Sequence, residues 1–264
     1  MRKLILLFAA ILAQTAVLSA QPKVIAHRGH WNVNETGKGN TATPQNSLAS
    51  YKAANGIGAW GSEFDVNLTS DEKLVVCHGP KIVSLADVQK ETYKTVRNER
   101  LSNGERVPSL KVLLKLIKRC KIRPILEIKE DYRDKEGYLP TFDKVAAALK
   151  RHHIDMSNIT IISFSLEVCK AAAKKYPDTM VQYLGGEKSP EELYALGIKG
   201  LDYHYSVFDK HPDWVKRAHD LGMEVNVWTV DKEQDIRRML ALGADQITTN
   251  YPVLTQKIID EKQQ

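Results

Sequence analysis

Short apolar runs alternate with amphipathic stretches along most of the chain, and this alternation constrains the fold more than any other feature. Eight of these runs have the length and composition of buried strands. They cover residues 24–27, 60–68, 123–128, 159–164, 180–184, 200–205, 223–230 and 245–249. Stretches with helical periodicity lie between them. Eight β-then-α units in one chain predict an α/β fold, a closed (β/α)8 or TIM barrel.

The competing architecture is a doubly wound open sheet. That fold usually carries a glycine-rich phosphate loop after its first strand, whereas the sequence here is His27-Arg28-Gly29-His30. Two segments interrupt the repeat: a polar loop at 30–43, and residues 79–108, which predict a small insertion after the second strand with one helical piece around 85–96. Loops after barrel strands lie on the catalytic face, so both segments are candidates for shaping a substrate site. A plain surface loop is the alternative for 30–43.

Residues 1–20 have the pattern of a signal peptide. Arg2 and Lys3 form a short positive region, residues 4–18 are mostly apolar, and Leu18-Ser19-Ala20 resembles a cleavage site. We therefore expect a mature domain of residues 21–264 that is exported, periplasmic or secreted, without stable membrane insertion. An uncleaved membrane anchor is the alternative.

The charged residues indicate a solvated surface. The formal net charge of the 264-residue chain is +6, but Lys and Arg are spread along the sequence and often alternate with Asp or Glu. Nucleic-acid binding requires basic residues gathered on one face, so we expect no nucleic-acid partner. The three cysteines, Cys77, Cys120 and Cys169, are far apart, and buried thiols are the simplest interpretation.

Three carboxylates lie on the predicted strands. Glu63 and Asp65 are two residues apart in one strand, so their side chains share a face, and Glu127 comes near the end of the next barrel strand. Carboxylates held this close repel each other unless a cation or a proton lies between them. Oxygen ligands without cysteine suit a hard cation, so the set predicts a site for Ca²⁺ or Mg²⁺. A salt bridge to arginine is the alternative for Glu63 and Asp65 alone.

Two histidines each follow a short apolar run directly. His27 follows the first strand, and His78 follows Val75-Val76-Cys77. Imidazoles titrate near neutrality and can exchange protons in a displacement at phosphorus. Arg28 and Lys129 can bind phosphate oxygens beside them. These residue types together favour metal-assisted attack on a phosphate ester.

The ordered motifs resemble those of the glycerophosphodiester phosphodiesterase family over nearly all of residues 21–264. The matching segments are His27-Arg28-Gly29 (family HRG), Pro44-Gln45-Asn46-Ser47 (PENT), Glu63-Phe64-Asp65-Val66 (ExDV), 69–78 (TxDGxxVxHD), Val107-Pro108-Ser109-Leu110 (IPTL), Glu127-Ile128-Lys129 (EIK), 226–230 (NxWTV) and 243–252 (GVDGIxTDxP). The resemblance implies a TIM barrel that hydrolyses small-molecule glycerophosphodiesters to sn-glycerol 3-phosphate and an alcohol.

The resemblance also implies a role for each candidate site residue. His27 and His78 would be the acid–base pair, and the three carboxylates would bind the divalent cation. Arg28 and Lys129 would contact the phosphate, while Trp228 would line the substrate pocket; core packing is the alternative for Trp228. The implied site residues are His27, Arg28, Glu63, Asp65, His78, Glu127, Lys129 and Trp228.

Three residues depart from the family motifs. Gln45 replaces a glutamate, Gly79 replaces the aspartate after the second histidine, and Asn250 replaces the last aspartate. Two other functions therefore stay open at this point. One is a lyase that forms a cyclic phosphate with the same histidines, and the other is a non-catalytic barrel that binds a phosphorylated ligand.

Overall fold

The computed structural model describes residues 21–32, 34 and 42–262, and its strands form one sheet. In chain order the strands are β1 (Lys23–Ala26), β2 (Gly61–Leu68), β3 (Leu74–Val76), β4 (Arg123–Ile128), β5 (Thr160–Ser163), β6 (Met180–Tyr183), β7 (Gly200–His204), β8 (Glu224–Trp228) and β9 (Gln246–Thr249). All except β3 pair in parallel, and β1 pairs with both β2 and β9, which closes the barrel. The predicted (β/α)8 barrel is confirmed.

Helices connect the barrel strands. They are α1 (Leu48–Gly56), α2 (Tyr93–Asn98), α3 (Leu110–Ile117), α4 (Pro140–Arg151), α5 (Leu166–Lys175), α6 (Pro190–Ala195), α7 (Tyr205–Lys210), α8 (Trp214–Asp220), α9 (Glu233–Leu242) and α10 (Pro252–Glu261). The helical piece expected around 85–96 is divided in two and extends further towards the C-terminus. A 3-10 turn occupies Val88–Lys90, and α2 begins only after Thr92, whose side chain accepts a hydrogen bond from the Thr95 N–H and caps the helix.

Alternation along the strands separates two apolar layers. Val24 and Ala26 of β1 face the large core between strands and helices, whereas Ile25 packs with Ile125 and Ile162 in a separate cluster. Successive side chains of a strand point to opposite faces, so this second cluster comes from the opposite faces of β1, β4 and β5. Polar residues lie beyond this inner cluster, towards the C-terminal ends of the strands.

The predicted insertion after the second strand forms a small subdomain on the barrel. Strand β3 pairs antiparallel with the end of β2, with Val66 opposite Val76 and Leu68 opposite Leu74. Its own core consists of five buried side chains: Val75, Cys77, Val88, Val96 and Val107. Because β3 runs back along β2, it returns the following residue, His78, towards the mouth of the barrel.

Two sequence expectations fall partly or wholly outside the described residues. The predicted signal peptide, residues 1–20, lies outside them, as does most of the 30–43 loop. Within the described part of the chain, none of the helices has both the length and the apolar character needed to cross a membrane. Cys77, Cys120 and Cys169 are free thiols.

Candidate functional site

The three predicted carboxylates meet at the C-terminal ends of β2 and β4. Asp65 lies opposite Glu127 in the parallel register of these strands, and Glu63 lies two residues earlier on the same face as Asp65. One oxygen from each carboxylate lies within 4.8 Å of the other two. All three residues are buried. Parallel pairing therefore assembles a compact set of oxygen ligands at the barrel mouth.

Burial and mutual repulsion make these carboxylates hold protons unequally. Burial, followed by the negative charge of Asp65, raises the pKa of Glu127 to about 8. The same two causes, with Glu127 as a third, raise the pKa of Glu63 well above its ordinary value. One Glu63 oxygen, Oε1, is buried and accepts no hydrogen bond from the described residues. A divalent cation would be coordinated by that oxygen and would offset the repulsion among the three carboxylates.

Asp65 behaves in the opposite way because cations surround it. Burial opposes its ionisation, but the Lys129 ammonium and the Arg28 guanidinium outweigh burial and lower the pKa of Asp65 to about 2. Lys129 Nζ lies 3.1 Å from Asp65 Oδ1 and 2.6 Å from Glu127 Oε1, and Arg28 Nε lies 3.5 Å from Asp65 Oδ2. Three carboxylates thus face two cationic side chains.

Asn46 is a further contact of Asp65 that the sequence analysis did not single out. Its Nδ2 donates to Asp65 Oδ2 at 2.7 Å, and its Oδ1 accepts from the Asp65 backbone N–H at 3.0 Å. Asn46 has a positive φ of 57°, which asparagine tolerates better than most residues. The only sequence signal for it was its place in the segment that resembles PENT.

The turn after β1 brings Arg28 against Glu63. The Arg28 backbone N–H donates to Glu63 Oε2 at 2.7 Å, and its Nη1 donates to Gln45 Oε1 at 2.9 Å. Gly29 has a φ of 82°, and a Cβ on it would lie 2.7 Å from the backbone carbonyl carbon of Ser50. This close approach of the turn to α1 requires glycine.

His27 follows β1 directly and is partly buried. Its backbone N–H donates to the Thr249 carbonyl at 3.0 Å, and its Nδ1 lies 2.8 Å from Asn250 Oδ1. Burial, followed by the positive charge of Arg28, lowers the pKa of His27 to about 4, against the raising effect of the Asn250 hydrogen bond. The imidazole is therefore neutral at pH 7.

His78 lies at the rim of a cavity of about 350 Å³ that Glu127 and Lys129 also line. Partial burial lowers its pKa, although the negative charge of Asp65 acts in the opposite sense. Its neighbour Cys77 points into the core of the insertion, away from the carboxylates. His78 is thus the solvent-accessible histidine of the pair.

Trp228 packs against Phe164 near the cavity beside His78. Its Nε1 donates to the Asp202 carbonyl at 2.8 Å, which fixes the ring at the end of β8. It meets Phe164 edge-to-face with ring centroids 5.6 Å apart, and Phe164 lines the same cavity as His78. A larger groove of about 710 Å³ lies elsewhere, between the start of β1 and α10, and is lined by residues such as Val253 and Lys257.

The donor set fits a divalent cation. Three buried carboxylates supply oxygen ligands at close range, and one buried oxygen of Glu63 is unpaired among the described residues. Burial and mutual repulsion raise the pKa of Glu63 and that of Glu127, which a bound cation would offset. Oxygen-only coordination is the preference of Ca²⁺ and Mg²⁺. The predicted ligands Glu63, Asp65 and Glu127 are thus brought together, with Arg28, Lys129 and the two histidines around them.

Comparisons with known proteins agree with this arrangement. Residues 27–254 match the model of the glycerophosphoryl diester phosphodiesterase family. A glycerophosphodiester phosphodiesterase of Caldanaerobacter subterraneus subsp. tengcongensis is 28% identical over 243 residues, which are 87% of this chain and 94% of that protein.

Solved structures show the same fold. The crystal structure of a glycerophosphodiester phosphodiesterase from Parabacteroides distasonis is 43% identical, with a TM-score of 0.85 over 92% of this chain and 99% of that one. An Oleispira antarctica phosphodiesterase in complex with the product sn-glycerol-3-phosphate is 24% identical, with a TM-score of 0.75 over 91% and 97% of the two chains. The chain belongs to the glycerophosphoryl diester phosphodiesterase family and is a phosphoric diester hydrolase.

Proposed function

We propose that this enzyme hydrolyses glycerophosphodiesters to sn-glycerol 3-phosphate and an alcohol with the help of a divalent cation, Ca²⁺ or Mg²⁺. The convergence of Glu63, Asp65 and Glu127 within 4.8 Å, with the charge of Asp65 acting on both His27 and His78, is the observation that carries the proposal. The names of the related proteins, including the complex with sn-glycerol-3-phosphate, support this substrate class.

The residues around the carboxylates suit an in-line displacement at phosphorus. One histidine would take a proton from the attacking water, and the other would give a proton to the oxygen of the leaving alcohol. Arg28 and Lys129 would hold the phosphate oxygens and offset their negative charge. Trp228 and Phe164 would exclude water from one side of the substrate.

The cation would be held by Glu63, Asp65 and Glu127, and it would supply Lewis-acid stabilisation of the negative charge on the phosphoryl oxygens. Lys129 contacts two of these carboxylates directly, so its positive charge lies close to any phosphate bound there. Gln45 keeps a hydrogen bond to Arg28 although it lacks the charge of the family's glutamate, so the departure leaves the arginine supported.

The test is release of sn-glycerol 3-phosphate from glycerophosphodiesters with choline, ethanolamine, glycerol and inositol head groups. EDTA should abolish release, and Ca²⁺ or Mg²⁺ should restore it. Glu63→Gln, which keeps the shape but removes one ligand charge, should lose the metal response, whereas the surface variant Glu136→Gln should keep it. Phosphorus NMR of the products separates hydrolysis from cyclisation: a cyclic phosphate would contradict the proposed hydrolysis, and release in EDTA would contradict the metal requirement.

We further propose that the protein is exported, with residues 1–20 removed. The support is the sequence pattern alone: a short basic region, an apolar stretch and a small-residue site ending at Ala20. Mass spectrometry of the protein recovered after cell fractionation should give an N-terminus at Gln21 in the periplasmic or extracellular fraction. A chain that begins at Met1 and stays in the cytoplasm would contradict export.

A further inference from the structure

The end of β9 lies beside His27, and Asn250, one of the three residues that depart from the family motifs, follows it directly. Ala26 is opposite Thr249 in the β1–β9 register, so His27 and Asn250 follow the two strands side by side. His27 Nδ1 lies 2.8 Å from Asn250 Oδ1. The question is which of the two groups donates the hydrogen.

The other hydrogen-bond partners of Asn250 determine which of the two groups, His27 or Asn250, donates the hydrogen. Trp31 Nε1, which can only donate, lies 3.0 Å from Asn250 Oδ1, and Asn250 Nδ2 lies 2.8 Å from Asp231 Oδ2. Asp231 also accepts hydrogen bonds from the Asn250 backbone N–H at 2.8 Å and from the Thr249 hydroxyl at 3.2 Å. An indole donor on one side and a carboxylate acceptor on the other permit one amide orientation, with Oδ1 towards His27.

The amide orientation fixes the imidazole tautomer. Because Asn250 Oδ1 can only accept, His27 Nδ1 must carry a hydrogen, and in the neutral ring Nε2 is then the unprotonated nitrogen. A neutral histidine of this tautomer is ready to take a proton at Nε2. Of the two histidines in the proposed reaction, His27 therefore suits the role of the base, and His78 that of the acid.

We infer that Asp231 is a positioning residue for the reaction, acting through Asn250 to hold His27 in the tautomer with Nδ1 protonated. Where the family motif has an acidic residue at position 250, this chain has an amide, and the Asp231 carboxylate lies one hydrogen bond further from the imidazole. This inference rests on the proposed role of His27 in catalysis, but the tautomer itself follows from the hydrogen bonds alone.

The alternative is that Asp231 only holds the ends of β8 and β9 together, through its contacts with Thr249 and the Asn250 backbone. Such a role would affect stability and leave the imidazole unchanged. Three variants separate the two roles: Asp231→Asn, the exchange Asp231→Asn with Asn250→Asp, and the surface control Asp220→Asn, whose residue pairs with Lys216 on α8.

The first measurement is a long-range ¹H–¹⁵N NMR spectrum of the histidine rings, with His27 assigned by its loss in His27→Ala. The wild-type protein should show the Nδ1-protonated form. Asp231→Asn should shift His27 towards a mixture of tautomers, and the exchange variant, which places a carboxylate directly on Nδ1, should restore the single form. A wild-type ring protonated at Nε2, or a tautomer insensitive to Asp231→Asn, would overturn the inference.

The second measurement is kinetic. Asp231→Asn should lower kcat roughly 10- to 100-fold with KM little changed, as expected for loss of a residue that orients another. The exchange variant should recover most of kcat, and Asp220→Asn should match the wild type. A loss that the exchange does not recover would indicate a purely structural role. If the wild-type protein released no sn-glycerol 3-phosphate, the proposed function would fail, whereas the NMR spectrum would still decide the tautomer.

Discussion

At the scale of single residues, the site separates groups of the same chemical type by their surroundings. Asp65 and Glu127 are both buried carboxylates on neighbouring strands, yet the pKa of Asp65 falls to about 2 and that of Glu127 rises to about 8. Two cations and an amide donor surround Asp65, whereas Glu127 has only Lys129 against burial and a neighbouring negative charge. Large pKa shifts of buried carboxyl groups that face specific charged neighbours are typical of functional sites.

The two histidines are the residues whose loss should matter most to turnover. We expect His27→Ala and His78→Ala each to lower kcat/KM by roughly 10² to 10⁴, the usual contribution of a general acid or base. His152→Ala, at the C-terminus of α4, is the matched control and should keep full activity. Initial rates of sn-glycerol 3-phosphate release test this, with circular dichroism to verify folding. A folded His27 or His78 variant with normal turnover would refute its catalytic role.

At the scale of elements, the β1–α1 connection determines where Arg28 and His27 lie. The turn crosses α1 at Gly29, where the backbone approaches Ser50 too closely for any side chain, and the Ser50 hydroxyl donates to the Arg28 carbonyl at 3.2 Å. The geometry of the site therefore depends on a packing contact outside the site itself.

Gly29→Ala tests that dependence. Its new Cβ would meet the Ser50 backbone, so we expect it to lower the free energy of unfolding by about 1–3 kcal/mol and to reduce activity. Gly58→Ala is the control, because Gly58 also has a positive φ, of 69°, but faces open space; it should cost roughly 1 kcal/mol and spare activity. Urea unfolding measures both. Equal losses for the two variants would show that the contact with Ser50 is unimportant.

The insertion and the loop after β4 together shape the cavity beside His78. Asp87 and Gln89 come from the insertion, and Glu130 and Tyr132 follow β4. If His78 protonates the leaving alcohol, the head group lies next to this cavity. Asp87 is paired with Lys90 at 3.1 Å, so the exposed carboxylate of Glu130 is the group that would favour a cationic alcohol over a neutral one.

Glu130→Gln should therefore weaken the preference for a choline head group over glycerol. An exposed ion pair contributes about 0.2–1 kcal/mol, which corresponds to a change of roughly 1.5- to 5-fold in the ratio of kcat/KM values. Glu136→Gln, in the same loop region, should leave the ratio unchanged. Competition between the two substrates in one reaction gives the ratio directly. An unchanged ratio in Glu130→Gln would exclude an electrostatic role for this carboxylate.

At the scale of the whole molecule, the repeated strand and helix units could be predicted from the sequence. The contacts that form only when β9 pairs with β1 and closes the barrel could not. The eight barrel strands were predictable because each has its own apolar run. The convergence of Glu63, Asp65 and Glu127 was predictable because neighbouring parallel strands present equivalent positions on one face. The link from Asp231 to His27 was not predictable. It arises only when β9 pairs with β1, and nothing in the sequence near Asp231 indicates which side chain it will meet.

The buried carboxylates on β2 and β4 would couple the stability of the barrel to cation binding, in a manner that depends on pH. Without metal, the pKa of Glu127 is about 8 and that of Glu63 is also raised, so between the ordinary value of 4.5 and about 8 the folded protein binds more protons than the unfolded chain. The stability that Glu127 contributes is complete below about pH 4.5 and is lost as the pH rises through about 8. The pKa of His27 and that of Asp65 are lowered in the folded protein, so these groups change the stability only below about pH 6.5 and about pH 3.8, respectively. Neither contributes to the pH dependence of stability above pH 7.

We therefore expect the melting temperature of the protein in EDTA to fall by a few degrees from pH 7 to pH 9. With saturating Ca²⁺ or Mg²⁺ it should stay nearly constant, because the bound cation replaces the protons and favours the ionised carboxylates. The stabilisation by metal thus increases with pH. Thermal unfolding followed by circular dichroism measures it, and Glu127→Gln, which removes the group with a pKa of about 8, should flatten the curve in EDTA. A metal effect of equal size at pH 7 and pH 9 would contradict the protonation of these carboxylates in the metal-free protein.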